Sequence, residues 1–180
     1  MGDSDGIVRL AGPRESQTTT GRIGEYARQF KGAEFHEGQR PWAVACDLAV
    51  PCATQNELNG EEAWMLVQNG CIGVAEGANM PTNLDGVHAL KEAQILFAPG
   101  KAANAAGVAL SGLEMSQNAT RISWKEQELQ SLLVETMKGI HDRCVEYGGV
   151  PGSEHIDYVR GANIAGFIKV ADAMLAYGVV

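Results

Sequence analysis

Lys101, Asn104 and Ser111 are polar side chains in a run of mostly small residues, Ala98-Pro-Gly-Lys-Ala-Ala-Asn-Ala-Ala-Gly-Val-Ala-Leu-Ser-Gly-Leu-Glu-Met-Ser-Gln-Asn118. Small residues let a backbone come close to another backbone or to a ligand. The few polar groups among them can then fix a ligand's orientation. Two more stretches share this character, Pro51-Cys-Ala-Thr-Gln-Asn-Glu57 and Gly77-Ala-Asn-Met-Pro-Thr-Asn83, both rich in small and amide side chains. Caps and turns use the same residue types, and that reading would serve for any one of the three. Three such loops, each directly after an apolar run, point to a ligand site.

The apolar runs set the geometry. Cys46–Val50, Ile72–Glu76 and Ile95–Ala98 read as strands. Asn59 caps a helix to about Asn69, with Glu62 as its capping-box partner, and Gly70 closes it. A second helix runs from roughly Leu84 to Ala93. Two strand–helix–strand steps at near-regular spacing predict a parallel α/β sheet. Ligands bind such sheets at the carboxyl ends of the strands, so the three loops converge on one rim. The strands are apolar without alternation, the pattern of strands covered on both faces.

Upstream, residues 1–20 collect Gly, Pro, Ser and Thr and read as an irregular segment. Arg22–Phe30 reads as a short helix with Ile23, Tyr26, Ala27 and Phe30 on one face. Downstream the chain is helical. Ser123 caps a helix with Glu126 at its box position, and Leu129, Leu132, Leu133, Met137, Ile140 and Cys144 mark a buried stripe that ends at Gly148-Gly149. Val150–Val159 is a loop. Asn163–Tyr177 is the last helix, with Ile164, Phe167, Ile168, Ala171, Met174 and Leu175 packed, and Gly178 stops it.

The 180 residues carry a net charge of −8, and 45% are hydrophobic against 20% charged. That is an ordinary soluble composition. With no basic run, it argues against nucleic acid as the main partner. No apolar run approaches the ~20 residues needed to span a bilayer, so no membrane partner is expected. The first six residues lack the basic and apolar regions of a secretory signal. Cys46, Cys52, Cys71 and Cys144 form no Cys-x-x-Cys pair, and cysteines scattered in this way are reduced and buried, which suits a cytoplasmic protein.

Other chemistries fail on spacing. Ser111 sits in Leu-Ser-Gly, not in the Gly-x-Ser-x-Gly of a nucleophile elbow. His36, His88, His141 and His155 stand at no metal-ligand spacing, so no metal is expected and surface or capping roles suit each. Lys101 lacks the Gly-x-x-x-x-Gly-Lys of a phosphate loop, and no Gly-x-Gly-x-x-Gly occurs.

Five stretches occur in this order: Pro51-Cys-Ala-Thr-Gln-Asn-Glu57, Glu76-Gly-Ala-Asn-Met-Pro-Thr82, Phe97-Ala-Pro-Gly-Lys-Ala-Ala-Asn104, Ser111-Gly-Leu-Glu-Met-Ser-Gln-Asn118 and Gly161-Ala-Asn-Ile-Ala-Gly-Phe167. Together they resemble the C-terminal part of a glutamate dehydrogenase, nearest to the bacterial-type, NADP-dependent, hexameric class. The likeness runs from about Gly21 to the C-terminus. The related leucine and phenylalanine dehydrogenases are the alternative within the family. They handle apolar side chains and would not need a serine donor at position 111.

The resemblance implies an α/β fold, an incomplete Rossmann-like parallel sheet with flanking helices, followed by C-terminal helices. It divides the chain into an irregular segment, 1–20, a partial nucleotide-binding domain, 21–118, and a helical segment, 119–180, that would pack back across the cleft. It places the glycine fingerprint upstream, in the first part of the nucleotide-binding domain, and the catalytic lysine and aspartate in a missing N-terminal domain, so no catalytic residue is assigned here. By position, Ser111 would bond the side-chain carboxylate of glutamate or 2-oxoglutarate, a charge-assisted contact. Val108 would line that pocket, and Asn104 stands in the same loop. Asn79 would lie beside the nicotinamide and its ribose, with Ala53, Thr54 and Gln55 along the ribose. Lys101 and Asn163 also fall in family motifs, and Lys101 is assigned to structure.

Asp3 and Asp5 compete for the adenine ribose. Ile7–Gly21 is shorter than the family's helix-bearing segment there, and Arg14 and Arg22 are the candidates for a 2′-phosphate. The implied cofactor is NADP, with NAD left open, and the full-length family is a homo-oligomer. A non-catalytic fragment acting as a binding or oligomerisation module is the alternative from another class.

Overall fold

In the computed structural model, which describes Phe30, Lys31, Ala33, His36 and residues 39–178, two asparagines start the helices that cross between strands. Asn59 Oδ1 accepts from the Glu62 N–H at 2.9 Å, and Glu62 Oε2 accepts in return from the Asn59 N–H at 2.9 Å. This capping box opens α1, Gly60–Gln68, as the sequence predicts. Gly70, at φ 88°, follows its end. Asn83 Oδ1 accepts from the Gly86 N–H at 2.8 Å and opens α2, Leu84–Glu92. Residues 1–20, nearly all of the Arg22–Phe30 helix, and Asp3, Asp5, Arg14 and Arg22 lie outside the described residues.

The chain divides into two units, Met1–Pro41 and Trp42–Val180, and the second holds the sheet. Three parallel strands stand in the order β1 (Leu48–Ala49), β2 (Gly73–Ala75), β3 (Leu96–Ala98). They are shorter than the apolar runs that contain them. Ala49, Val74 and Phe97 pair in register and point into a core with Leu58, Ala63, Leu66, Ala89 and Leu90. The opposite face departs from expectation. Leu48 and Leu96, which flank Gly73 in register, are 64% and 57% exposed. Apolar residues do occupy both faces, but the described helices α1 and α2 cover only one. The open face, with His141 and Tyr158 at its margin, lines an apolar hollow of about 290 Å³.

Beyond β3 come α3 (Gly100–Ala103), α4 (Ala105–Thr120), α5 (Glu126–Gly148) and α6 (Tyr158–Tyr177). Two expected helix starts move. Ser123 is not the cap of α5. The Gln117 side chain takes the Trp124 N–H at 2.8 Å, and Glu128 Oε2, not Glu126, reaches back to the Lys125 N–H at 2.9 Å. α6 begins within the segment expected to be loop, because Asp157 accepts from the Arg160 N–H at 3.0 Å and caps it. The α5 stripe is half-buried, with Cys144 buried and Leu132 exposed. On α6, Ile164, Ile168 and Ala171 are half-buried, whereas Phe167 (72%), Met174 and Leu175 are exposed, contrary to expectation. Cys71 and Cys144 are buried, but Cys52 is exposed and Cys46 intermediate, and all four are free. Burial pushes the Cys46 and Cys144 thiols up, with Cys71 adding to the shift of Cys46, so neither is an activated nucleophile.

α5 and α6 cross closely at one glycine. A Cβ built on Gly161 would lie 2.1 Å from the Cys144 carbonyl oxygen, so no larger residue fits without parting the helices. Asp157 also binds Lys91 of α2 at 2.8 Å and so ties α6 to the α/β layer. Burial pushes the Asp157 carboxyl up, but the Lys91 ammonium and the backbone N–H groups of Arg160 and Val159 outweigh it and leave its pKa lowered.

Two outcomes are expected in urea unfolding. Gly161→Ala should cost about 3 kcal/mol, since the obstacle is backbone; an unchanged midpoint would mean the helices are not in contact there. Asp157, with a depressed folded pKa, contributes stability above the unfolded carboxylate value of about 3.9. That contribution is lost as pH falls from there through the folded value. Asp157→Asn should flatten the acid side of the profile, and Asp157→Ala should also lose the cap, about 1 kcal/mol more.

Candidate functional site

The three loops that follow the strands bond to one another, so the expected convergence on one rim is present. The Pro51 carbonyl accepts from Gly77 N–H at 2.9 Å and Ala78 N–H at 3.2 Å. Asn56 N–H donates to the Met80 carbonyl at 3.1 Å, and Leu58 N–H to that of Pro81 at 3.0 Å. Asn56 and Met80 both hold left-handed backbone, φ 55° and 53°, which is uncommon for methionine. The second loop is joined to the third by Glu76. Its carboxylate is buried and accepts from Thr82 N–H at 3.2 Å and Gly100 N–H at 2.6 Å. Gly100 is required by close approach, because an added Cβ would lie 2.8 Å from the Ala78 carbonyl oxygen.

Asn104 and Asn79 meet on this rim. Asn104 Nδ2 donates to the Ala78 carbonyl at 3.1 Å and to Asn79 Oδ1 at 2.7 Å. The amide orientations follow from the chemistry. A carbonyl only accepts, so the group of Asn104 facing Ala78 must be the NH2, and that NH2 in turn requires the oxygen of Asn79. Among the described residues, the groups left unused are one acceptor, Asn104 Oδ1, and one donor, Asn79 Nδ2. A primary carboxamide offers the complementary pair.

The other candidates are more loosely gathered. Ala53, Thr54 and Gln55 are exposed on the first loop, where Ala53 N–H donates to Glu57 Oε1 at 2.8 Å. Val108 and Ser111 lie on α4 three residues apart, hence side by side on the helix. Val108 is 74% exposed, and no residue of α4 is buried. Ser111 Oγ donates to the Gly107 carbonyl at 3.2 Å, a bond within its own helix. No bond joins either residue to Asn79 or Asn104 among the described residues. Lys101 Nζ donates to Asn163 Oδ1 at 2.5 Å and ties α3 to α6, which suits the structural role expected of it.

Sequence reasoning passed over Glu76 and Thr82, the buried polar residues among those described. The signal was an acid placed directly after the apolar run Ile72-Gly-Val-Ala75, where a solvated loop would not need one. Thr82 Oγ1 has no hydrogen-bond partner among the described residues. No group of three or more His, Cys, Asp or Glu among the described residues is arranged to hold a metal ion, and no described helix is long and apolar enough to cross a membrane.

A sequence model of the Glutamate/Leucine/Phenylalanine/Valine dehydrogenase family matches residues 2–178. The NADP-specific glutamate dehydrogenase of Salmonella typhimurium is 58% identical over 160 residues, 89% of this chain and 35% of that protein. The NAD(P)-specific glutamate dehydrogenase of Xylanibacter ruminicola is 52% identical over 180 residues, 98% of this chain and 40% of that protein. A solved structure of Plasmodium falciparum glutamate dehydrogenase matches with a TM-score of 0.84 at 42% identity, over 90% of this chain and 35% of that one. The chain thus spans 35–40% of the length of these curated relatives. With nearly every residue matched, the chain belongs to the Glutamate/Leucine/Phenylalanine/Valine dehydrogenase family.

Proposed function

We propose that these residues are the cofactor-side and return-helix part of an NADP-dependent glutamate dehydrogenase. The whole protein would interconvert L-glutamate, water and NADP+ with 2-oxoglutarate, ammonium, NADPH and a proton. The observation that carries this reading is the 58% identity to an NADP-specific glutamate dehydrogenase. NAD remains open as a cofactor, given the NAD(P)-specific relative. In this reading residues 1–20 are an irregular segment, 21–118 a partial nucleotide-binding domain, and 119–180 the helices that return across the cleft.

The rim fits the nicotinamide end of the cofactor. Its unused pair, Asn79 Nδ2 and Asn104 Oδ1, matches a carboxamide, and Ala53, Thr54 and Gln55 would run along the ribose. The pyrophosphate would be held by another part of the protein, since these residues contain no Gly-x-Gly-x-x-Gly. Held by Asn79 and Asn104, the nicotinamide would supply the acceptor for the hydride of the substrate α-carbon. Ser111 would turn its proton from Gly107 to the distal carboxylate of glutamate, and Val108 beside it would exclude water. Asn104 would hold the loop that positions both ligands. Such work is chiefly positioning, where small displacements have large effects on rate. The catalytic lysine and aspartate would come from an N-terminal domain, and the 180 residues alone would not turn over. The protein would assemble as a homohexamer. Free cysteines suit the reducing cytoplasm, where we place it.

The open apolar faces support a second reading, a fragment that binds or pairs without catalysis. Leu48 and Leu96 on the sheet, Val50 just beyond β1, and Phe167 and Leu175 on α6 are exposed, enough to drive association. Gel filtration separates the cases: a clean monomer or a discrete dimer argues for a self-sufficient module, and aggregates for a severed part.

Two kinetic outcomes are expected. NADPH oxidation with 2-oxoglutarate and ammonium should be absent from the 180-residue chain, and present when it is fused to the N-terminal part of the Salmonella relative. Turnover by the chain alone would overturn the division of labour, and an inactive but folded fusion would overturn the function. In the active fusion, Ser111→Ala should raise the glutamate KM and lower kcat/KM about 10- to 150-fold, the worth of one hydrogen bond to a charge. Unchanged kinetics would remove Ser111 from the site.

A further inference from the structure

We infer that Glu76 is a positioning residue, the clip that sets Asn79 and Asn104 at the rim. It rests on the proposed function only in taking those two amides as ligand contacts. A buried carboxylate is costly unless its oxygens are satisfied. Glu76 is 5% exposed, and no cation pairs with it among the described residues. Two backbone donors hold it instead, and they lie on different loops.

Each bond has its own geometric effect. Oε1 accepts from Thr82 N–H and closes the base of loop Gly77–Pro81, the loop that carries Asn79 and the left-handed Met80. Oε2 accepts from Gly100 N–H and draws the start of α3 against that loop. The approach is tight: an added Cβ on Gly100 would meet the Ala78 carbonyl at 2.8 Å, Glu76 Oε2 at 3.3 Å and Asn104 Nδ2 at 3.4 Å. One turn of α3 then delivers Asn104 to the Ala78 carbonyl and to Asn79. The rim pair is thus built outward from one side chain.

Only glutamate does this. Both partners are donors, so two acceptor oxygens are required. Glutamine offers one oxygen and turns an NH2 against the other N–H. Aspartate keeps the charge but is one methylene too short to reach both.

The test is Glu76→Gln in the full 180-residue chain, followed by proton–nitrogen NMR and titration with nicotinamide mononucleotide. The Gly100 N–H resonance should move, and the side-chain NH2 resonances of Asn79 and Asn104 should shift toward those of free amides. Core methyls of Leu66 and Leu90 should stay in place. Mononucleotide affinity should fall about tenfold, the effect of one misplaced hydrogen bond. Asn79 and Asn104 resonances unmoved by Glu76→Gln would overturn the inference, whatever the mononucleotide does. A wild-type chain that ignores the mononucleotide, with the two amides still shifted in the variant, would sink the nicotinamide reading and leave the positioning role standing. Glu76→Asp carries the same amide readout if Glu76→Gln fails to fold.

Discussion

Parallel strands of two and three residues have too short a ladder to hold a sheet unaided. Here the sheet is pinned at both levels of the chain. On one face Ala49, Val74 and Phe97 sink into a core shared with α1 and α2. At the carboxyl end, hydrogen bonds lock the three loops that follow the strands together. The two are linked by topology. Parallel pairing forces each chain segment to return through a helix, so every strand ends on the same side. The loops that must be satisfied there are close enough to satisfy one another. The rim is therefore a consequence of how the sheet is stabilised.

The return helices are attached differently. α6 packs on α5 through Gly161, where backbone meets backbone. It reaches the α/β layer through Val159, which packs against the core, and through two polar contacts, Asp157 to Lys91 and Asn163 to Lys101. Contacts of that sort between partly exposed groups contribute little stability, commonly under about 1 kcal/mol. They are directional, however, and set where α6 begins and which turn faces α3. The motif Gly161-Ala-Asn163 thus holds two separate constraints, a helix crossing and a tether to the rim.

Local signals carried much of this into the sequence. The Asn59–Glu62 box, the glycine at position 70 and the small-residue loops are each determined within a few residues, and each stands where its chemistry predicts. Strand coverage was misread because it depends on what lies over Leu48 and Leu96, which their own run does not encode. Phe167 was misassigned for a like reason. Its spacing places it on an apolar stripe, but α5 covers only the side of α6 centred on Gly161, Ile164 and Ile168. Asp157 was missed because the preceding Pro and Gly read as loop and hid a cap. Glu76 was missed because its partners are backbone N–H groups 6 and 24 residues away, which no side-chain pattern reveals.

Ser111 bears on which amino acid the family fold would accept in the proposed reaction. Its one proton rests on the Gly107 carbonyl, an exposed bond within the helix that is readily exchanged for a better acceptor. In the proposed site, a carboxylate would turn the hydroxyl toward itself and give it a charge-assisted bond. With an apolar side chain present, it keeps Gly107 and is never left unpaired. Strong rejection requires an orphaned polar group, so the hydroxyl alone discriminates weakly. The neighbours of Ser111 on α4 add no positive charge: they are Gly107, Val108, Glu114 and Met115. A carboxylate brought next to Glu114 would even be repelled. In the proposed site, selection of glutamate over leucine would therefore need a cation from outside this helix, with Ser111 orienting the carboxylate that the cation would draw in.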